Sequence, residues 1–127
     1  MFSASVPPPV AATVLGGIEV IENEPWLRQQ LLENVGYAIK KLGPFGFYST
    51  PQAAIITLAL PEKMDIRKSA CLFHEKNIFL NPVEYPAVPV SKQRFRISIM
   101  ATHTRQDIDK LATAVEEVWG DSEAYTY

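Results

Sequence analysis

The sequence has few of the features that mark a specialised class of protein. Its single cysteine, Cys71, cannot form a disulfide within the chain, which argues against a disulfide-stabilised secreted scaffold. No apolar run approaches the ~20 residues that cross a bilayer, and the residues from Met1 to Ser5 lack the pattern of a signal peptide. Twelve basic residues against 14 acidic ones leave little of the positive charge that nucleic acids and anionic membranes attract. We therefore expect a cytoplasmic protein with neither partner.

What is present is the composition of one ordinary globular domain. The chain has 127 residues, of which 47% are hydrophobic and 20% charged. A chain of this size can bury a core without metal or disulfide support. Ten prolines divide it into short segments, because proline lacks the backbone donor and disfavours helical geometry in the preceding residue.

The hydrophobic periodicity predicts four helices. The first follows the Pro7–Pro9 run, and because it is apolar on almost every side it is typical of a helix packed against a partner outside this chain. The second begins at Pro25 and stops at Gly43. The third extends from an Asp65 cap to about Lys76, and the fourth from the Thr104–Asp107 capping pattern to Trp119.

Four short strands are predicted between the helices, at residues 46–49, 54–60, 78–80 and 94–100. The last one alternates cleanly, so one set of its side chains faces the core and the other faces away. The economical arrangement is an α+β layer, a small and mainly antiparallel sheet with helices on one face. Residues 121–127 are expected to fray.

The pattern alone offers a few candidate functional residues and no complete active site. Arg96 lies on the outer face of the last strand, where it could bind a carboxylate or phosphate or simply be solvated. Ser3 and Ser5 could donate to a phosphate at the first helix or be loop hydroxyls. His103 could be catalytic or could support a turn, and nothing at metal-ligand spacing accompanies it. Cys71 is expected to be a small core residue.

Three segments taken in order resemble a known family. They are Phe2–Pro8 ahead of an alanine-rich helix, Tyr85–Pro89 in a late loop, and Arg94–Ser98 running into Ala101–Thr104. The same order occurs in the α-oxoamine synthases, such as 8-amino-7-oxononanoate synthase, 2-amino-3-ketobutyrate CoA ligase and serine palmitoyltransferase. These are pyridoxal-phosphate enzymes of the aspartate-aminotransferase fold, or fold type I. The resemblance covers Phe2 to Trp119.

The resemblance implies the C-terminal part of such an enzyme. Residues 1–22 would be the connecting segment and helix from the large domain, residues 23–120 the small α+β domain, and residues 121–127 the tail. The implied activity is the condensation of an amino acid with an acyl-CoA in a homodimer, with pyridoxal phosphate as electron sink. The family's Schiff-base lysine lies upstream and is not Lys92, so the resemblance implies that this chain is inactive alone.

The resemblance also implies roles for the candidate residues. Arg96 would hold the amino-acid carboxylate, Ser3 and Ser5 would reach the cofactor phosphate of the neighbouring subunit, and His103 would support the strand–helix turn. Glu84–Tyr85–Pro86 stands where several relatives have Arg-Pro-Pro, which argues against an exclusively biotin-pathway substrate.

Two alternatives stay open. The chain could be a stand-alone, non-catalytic small-domain module acting in binding or oligomerisation, in which case its own chain or a second copy should cover the apolar first helix. An aminotransferase proper shares the fold but accounts less well for the Ser-Pro-Pro and Ala-Thr-His-Thr segments.

Overall fold

Helices and a three-stranded antiparallel sheet form two layers in the computed structural model, which describes residues 5–125. The helices are α1 (Pro8–Asn23), α2 (Pro25–Leu42), α3 (Ile66–Glu75) and α4 (Arg105–Gly120). The strands are β1 (Ile55–Ala59), β2 (Asn81–Val83) and β3 (Arg94–Ser98), and single 3-10 turns cover Gly43–Phe45, Val90–Lys92 and Ser122–Ala124. This arrangement confirms the predicted α+β class.

Strand β3 lies at the centre of the sheet, between β1 and β2. Phe95 and Ile97 point into the core, whereas Arg96 and Ser98 are exposed on the opposite face. Arg96 is the register partner of Thr57 on β1 and of Asn81 on β2. The period-two alternation of a strand therefore places this arginine in the middle of the open face of the sheet.

The core lies between the sheet and helices α2, α3 and α4. An aromatic cluster occupies its centre, with ring centroids 5.3 Å apart for Phe73 and Phe95 and 5.8 Å apart for Phe73 and Trp119, both edge to face. The buried stripe of α4 consists of Ile108, Leu111, Ala114, Val115 and Val118. Because these residues recur every three or four positions, one face of α4 closes the core.

Helix α1 lies apart from this core and meets α2 at Glu24, the residue that joins the two helices. It has no buried residue, and apolar side chains such as Leu15 and Ile21 are 62% and 68% exposed. The described part of the chain therefore leaves α1 uncovered. No helix within residues 5–125 is both long and apolar enough to span a membrane.

Two predicted strands differ from the structure. Residues 46–49 form only the isolated bridge from Phe47 to Leu58, because Gly46 turns the chain with a φ of 84°. The strand expected at residues 78–80 forms three residues later, as β2, after Asn77 has ended α3 in the left-handed region with a φ of 57°.

The expectations for Cys71 and for the tail also need correction. Cys71 is exposed rather than in the core, since the inward face of α3 is carried by Ile66, Ser69 and Phe73. The tail is packed up to Tyr125, whose hydroxyl donates to the Trp119 carbonyl over 2.8 Å. Ala124 is fully buried, so residues 121–125 do not show the expected fraying; residues 126 and 127 lie outside the described range.

Candidate functional site

Arg96 is the candidate that the structure presents most openly. Its side chain is exposed at the centre of the sheet face that the helices leave bare. Among the described residues it forms no salt bridge and no side-chain hydrogen bond, whereas the other arginine of β3, Arg94, forms a hydrogen bond. Its cross-strand neighbours, Thr57 and Asn81, bring a hydroxyl and an amide. This set suits an incoming carboxylate, which needs a cation and further hydrogen-bond donors.

Glu84, an acid just after β2, is engaged away from Arg96. Arg67 on α3 donates from Nε to a Glu84 carboxylate oxygen over 2.9 Å. The hydrogen bond to Glu84 raises the pKa of the Arg67 guanidinium, and the attraction of the opposite charge adds to it. Glu84 is thus held at the edge of the sheet and does not neutralise Arg96.

Arg94 lies on the same face but is held by its surroundings. Its guanidinium carbon is 4.0 Å from the centroid of the Tyr48 ring, and Nη1 donates to the Lys92 carbonyl over 3.3 Å. The Tyr48 backbone N–H in turn donates to the Thr57 carbonyl over 2.8 Å. The two arginines of β3 therefore differ: one is stacked and bonded, whereas the other is open to a ligand.

His103 supports the turn between β3 and α4. Its Nδ1 accepts the Met100 backbone N–H at 3.1 Å, which ends the strand pattern before Met100 and shortens the predicted strand. Because Nδ1 is an acceptor there, the neutral ring carries its proton on Nε2. The structure thus shows His103 in contact with the turn. No cluster of three metal-ligating side chains occurs in the described range.

The same turn depends on Asn34, a residue that the sequence patterns did not single out. Its side-chain amide donates to the carbonyls of His103 at 2.7 Å, Met100 at 3.1 Å and Ala101 at 3.4 Å. Asn34 is 7% exposed and lies on the inward face of α2. A polar residue among the apolar positions of a helix is the signal that could have found it, since buried amides need partners.

A second polar cluster joins α2 to α4 beside this turn. Asp109 accepts from the Tyr37 hydroxyl at 2.8 Å and from Lys41 at 2.6 Å. The Lys41 hydrogen bond, followed by that of Tyr37, lowers the pKa of the Asp109 carboxyl below its ordinary value of 3.8. These groups satisfy one another, so the cluster ties the helices together and leaves no spare charge for a ligand.

Of the two serines that could bind a phosphate, the structure describes only Ser5. Ser5 is exposed and lies two residues before Pro7, whereas Ser3 lies outside the described residues. A cavity of about 320 Å³ does occur, between α4 and residues 77–80, but Arg96 does not line it. Within the described residues, no hydrogen bond joins Ser5 to Arg96.

The arrangement defines a class: a small α+β domain whose sheet presents an uncompensated arginine on its open face. The chain matches the description "aminotransferase class I and II" over residues 1–115. Because that match spans most of the sequence, the chain belongs to the aminotransferase class I and II family. The resemblance to pyridoxal-phosphate enzymes of fold type I is thereby confirmed.

Individual relatives agree with this assignment. A serine palmitoyltransferase of Bacteriovorax stolpii is 36% identical over 92% of this chain and 28% of its own length. An 8-amino-7-oxononanoate synthase/2-amino-3-ketobutyrate coenzyme A ligase of Thermus thermophilus is 34% identical over 93% of this chain and 30% of its own. Among solved structures, a serine palmitoyltransferase from S. paucimobilis with a bound PLP–myriocin aldimine superposes with a TM-score of 0.74 at 26% identity, covering 95% of this chain and 32% of that one.

The chain thus spans about 30% of the length of the relatives it matches. Pyridoxal phosphate, which the S. paucimobilis structure contains, needs an amine for its aldehyde and donors for its phosphate. The described residues do not assemble such a set: Ser5 is on an exposed segment, and Lys92 lies in the turn before β3 with its carbonyl bonded to Arg94. These residues by themselves do not fit the cofactor.

Proposed function

We propose that this chain is the C-terminal small domain of a pyridoxal-phosphate-dependent acyl-CoA:amino acid C-acyltransferase similar to 8-amino-7-oxononanoate synthase. In that enzyme it binds the carboxylate of the amino acid and helps to close the active site. The observation that carries the proposal is the uncompensated guanidinium of Arg96 on the open face of the sheet.

The position of Arg96 suits a recognition role for a physical reason. A guanidinium presents a planar pair of N–H donors that matches both oxygens of a carboxylate. The central strand is fixed on both sides by β1 and β2, so the side chain starts from a rigid base. Asn81 flanks it on β2 and can donate to the same ligand, and Thr57 flanks it on β1 with its hydroxyl paired to that of Ser49 at 2.9 Å. An arginine with those neighbours and no acid of its own gains most when an anionic ligand arrives.

The rest of the enzyme supplies what this chain lacks. The proposed cytoplasmic homodimer binds pyridoxal phosphate mainly through residues outside this chain, and the cofactor acts there as electron sink. Ser3 and Ser5 are proposed to donate to the phosphate of the neighbouring subunit. Residues 1–22 then form the connection to the large domain and residues 23–120 the small domain, with the chain inactive alone. The exposed apolar surface of α1 supports this division, because apolar surface of that extent is normally covered.

The test measures substrate constants of the complete enzyme carrying Arg96→Gln. We expect the KM for the amino acid to rise about 10- to 100-fold, as loss of a charge-assisted hydrogen bond implies, with the KM for the acyl-CoA nearly unchanged. Arg28→Gln, at an exposed position of α2, is the matched control and should change neither constant.

Equal increases in both KM values would contradict the assigned role of Arg96. A complete gene product without acyl-CoA-dependent activity on any amino acid would contradict the enzyme assignment itself. It would favour the non-catalytic module, whose first helix should then be covered by a second copy, because the described chain does not cover it.

A further inference from the structure

Arg94 and Arg96 project from the same face of β3, and their surroundings differ. Arg96 is exposed and has no polar partner among the described side chains. Arg94 is half-buried, stacked 4.0 Å from the Tyr48 ring centroid and bonded from Nη1 to the Lys92 carbonyl. The Arg94 guanidinium, two residues along the strand from Arg96, is therefore already engaged by Tyr48 and Lys92.

Holding Arg94 matters because of the spacing of the two residues. Residues two apart on a strand have Cα atoms about 6.5–7 Å apart and side chains on one face. Two long arginine side chains at that spacing can each bind one carboxylate of the same dicarboxylate. If Arg94 were released, the site would gain a second cation and with it a preference for doubly charged ligands.

We propose that Tyr48 is a specificity-determining residue, which by stacking on Arg94 restricts the Arg96 site to amino acids with a single carboxylate. The inference rests on the proposed role of Arg96. It concerns Tyr48 as a positioning residue, since Tyr48 acts through Arg94.

The tyrosine itself is fixed independently of any ligand. Its backbone N–H bonds to the Thr57 carbonyl, and the hydroxyls of Ser49 and Thr57 are 2.9 Å apart. Thr57 is also the register partner of Arg96, and Ala59 that of Arg94. The segment that carries Tyr48 is thus attached to β1 beside both arginines, and the ring reaches across β1 to Arg94.

The test uses the full 127-residue chain and two probes, acetate and malonate, followed by the NMR signals of the arginine side-chain Nε–H groups. In the unmodified chain both probes should shift Arg96 and leave Arg94 unmoved. In Tyr48→Ala, malonate should also shift Arg94, and its affinity relative to acetate should rise roughly three- to fivefold, as one added exposed ion pair gives. Tyr48→Phe keeps the ring and should behave as the unmodified chain.

Two further variants complete the design. Tyr48→Leu keeps an apolar cover over β1 without an aromatic face, and it should reproduce Tyr48→Ala if the latter folds poorly. The double variant Tyr48→Ala/Arg94→Gln should lose the malonate gain while retaining acetate binding. An unchanged malonate-to-acetate ratio in Tyr48→Ala and Tyr48→Leu, with Arg96 still responding, would overturn the role of Tyr48 alone. No response of Arg96 to acetate would overturn the proposed carboxylate site and the selectivity with it.

Discussion

Helices α1 and α4 have the same length, 16 residues, and opposite relations to the rest of the molecule. Helix α4 begins with a capping box between Thr104 and Asp107 and buries five apolar residues against the core. Helix α1 has no side-chain cap, and none of its residues is buried. Yet α1 is by far the more hydrophobic of the two, with only two charged residues, Glu19 and Glu22, along its length.

The difference shows that hydrophobicity and burial are separate properties of a helix. The pattern of α4 is amphipathic, so its own chain can solvate one face and bury the other. The pattern of α1 has no solvent face, so only contacts on several sides would satisfy it. Within the described residues none of its side chains is buried, and the proposed place of α1 between two domains of a longer enzyme would supply the missing contacts.

The largest expected effect compares the same substitution in the two helices. Ile108→Ala on α4 removes a side chain that is 2% exposed, whereas Ile18→Ala on α1 removes one that is 46% exposed. We expect the first to lower the free energy of unfolding by about 2–5 kcal/mol, because it leaves a cavity in the core. The second should change it by no more than about 0.5 kcal/mol. Urea denaturation of the isolated chain measures both.

This pair also tests where α1 belongs. In the complete enzyme, Ile18→Ala should become destabilising, since the proposed large domain then covers it. A large loss already in the isolated chain would contradict the uncovered position of α1.

Local chemistry made much of this fold predictable from the sequence. The alternation in β3 is clean because Phe95 and Ile97 are apolar while Arg94, Arg96 and Ser98 are polar, so the open face could be assigned before the structure. The prolines at 7–9 and Pro25 mark two helix starts, and the capping spacing from Thr104 marks a third. Each of these signals lies within a few residues of the element it predicts.

Contacts between distant segments account for what the sequence did not predict. Asn34 bonds to carbonyls 66 to 69 residues away, and Tyr48 stacks on Arg94 of β3. Residues 78–80 are apolar enough for a strand, so their composition does not show that the strand begins at Asn81. That start is fixed by the pairing of Asn81–Val83 with β3. The role of Arg96 could be proposed from the family resemblance, whereas the restraint on Arg94 required the structure.

A smaller effect is expected from removing the cap of α4. The Thr104 hydroxyl accepts the Asp107 backbone N–H at 3.2 Å, so Thr104→Ala leaves a helix-terminal donor without that partner. We expect a loss of about 1 kcal/mol in the free energy of unfolding, again by urea denaturation. Thr113→Ala, at an exposed position within α4, is the matched control and should be neutral or slightly stabilising. Equal losses from both variants would show that the cap contributes nothing particular.

The smallest expected effect is on the pH dependence of stability, and it arises from two carboxylates of α4, Asp107 and Asp109. The backbone N–H of Thr104, followed by its hydroxyl, lowers the pKa of Asp107 below its ordinary value of 3.8, and Lys41 lowers that of Asp109. A carboxyl with a depressed pKa in the folded state stabilises the fold fully above its unfolded pKa, and it loses that contribution as the pH falls through the folded value. The free energy of unfolding should therefore decline below about pH 4.

Asp107→Asn keeps an acceptor but no charge, so it should flatten part of this decline, whereas Thr113→Ala should shift the curve without changing its slope. A decline that is equally steep in Asp107→Asn would contradict the contribution of the Asp107 carboxylate at the start of α4.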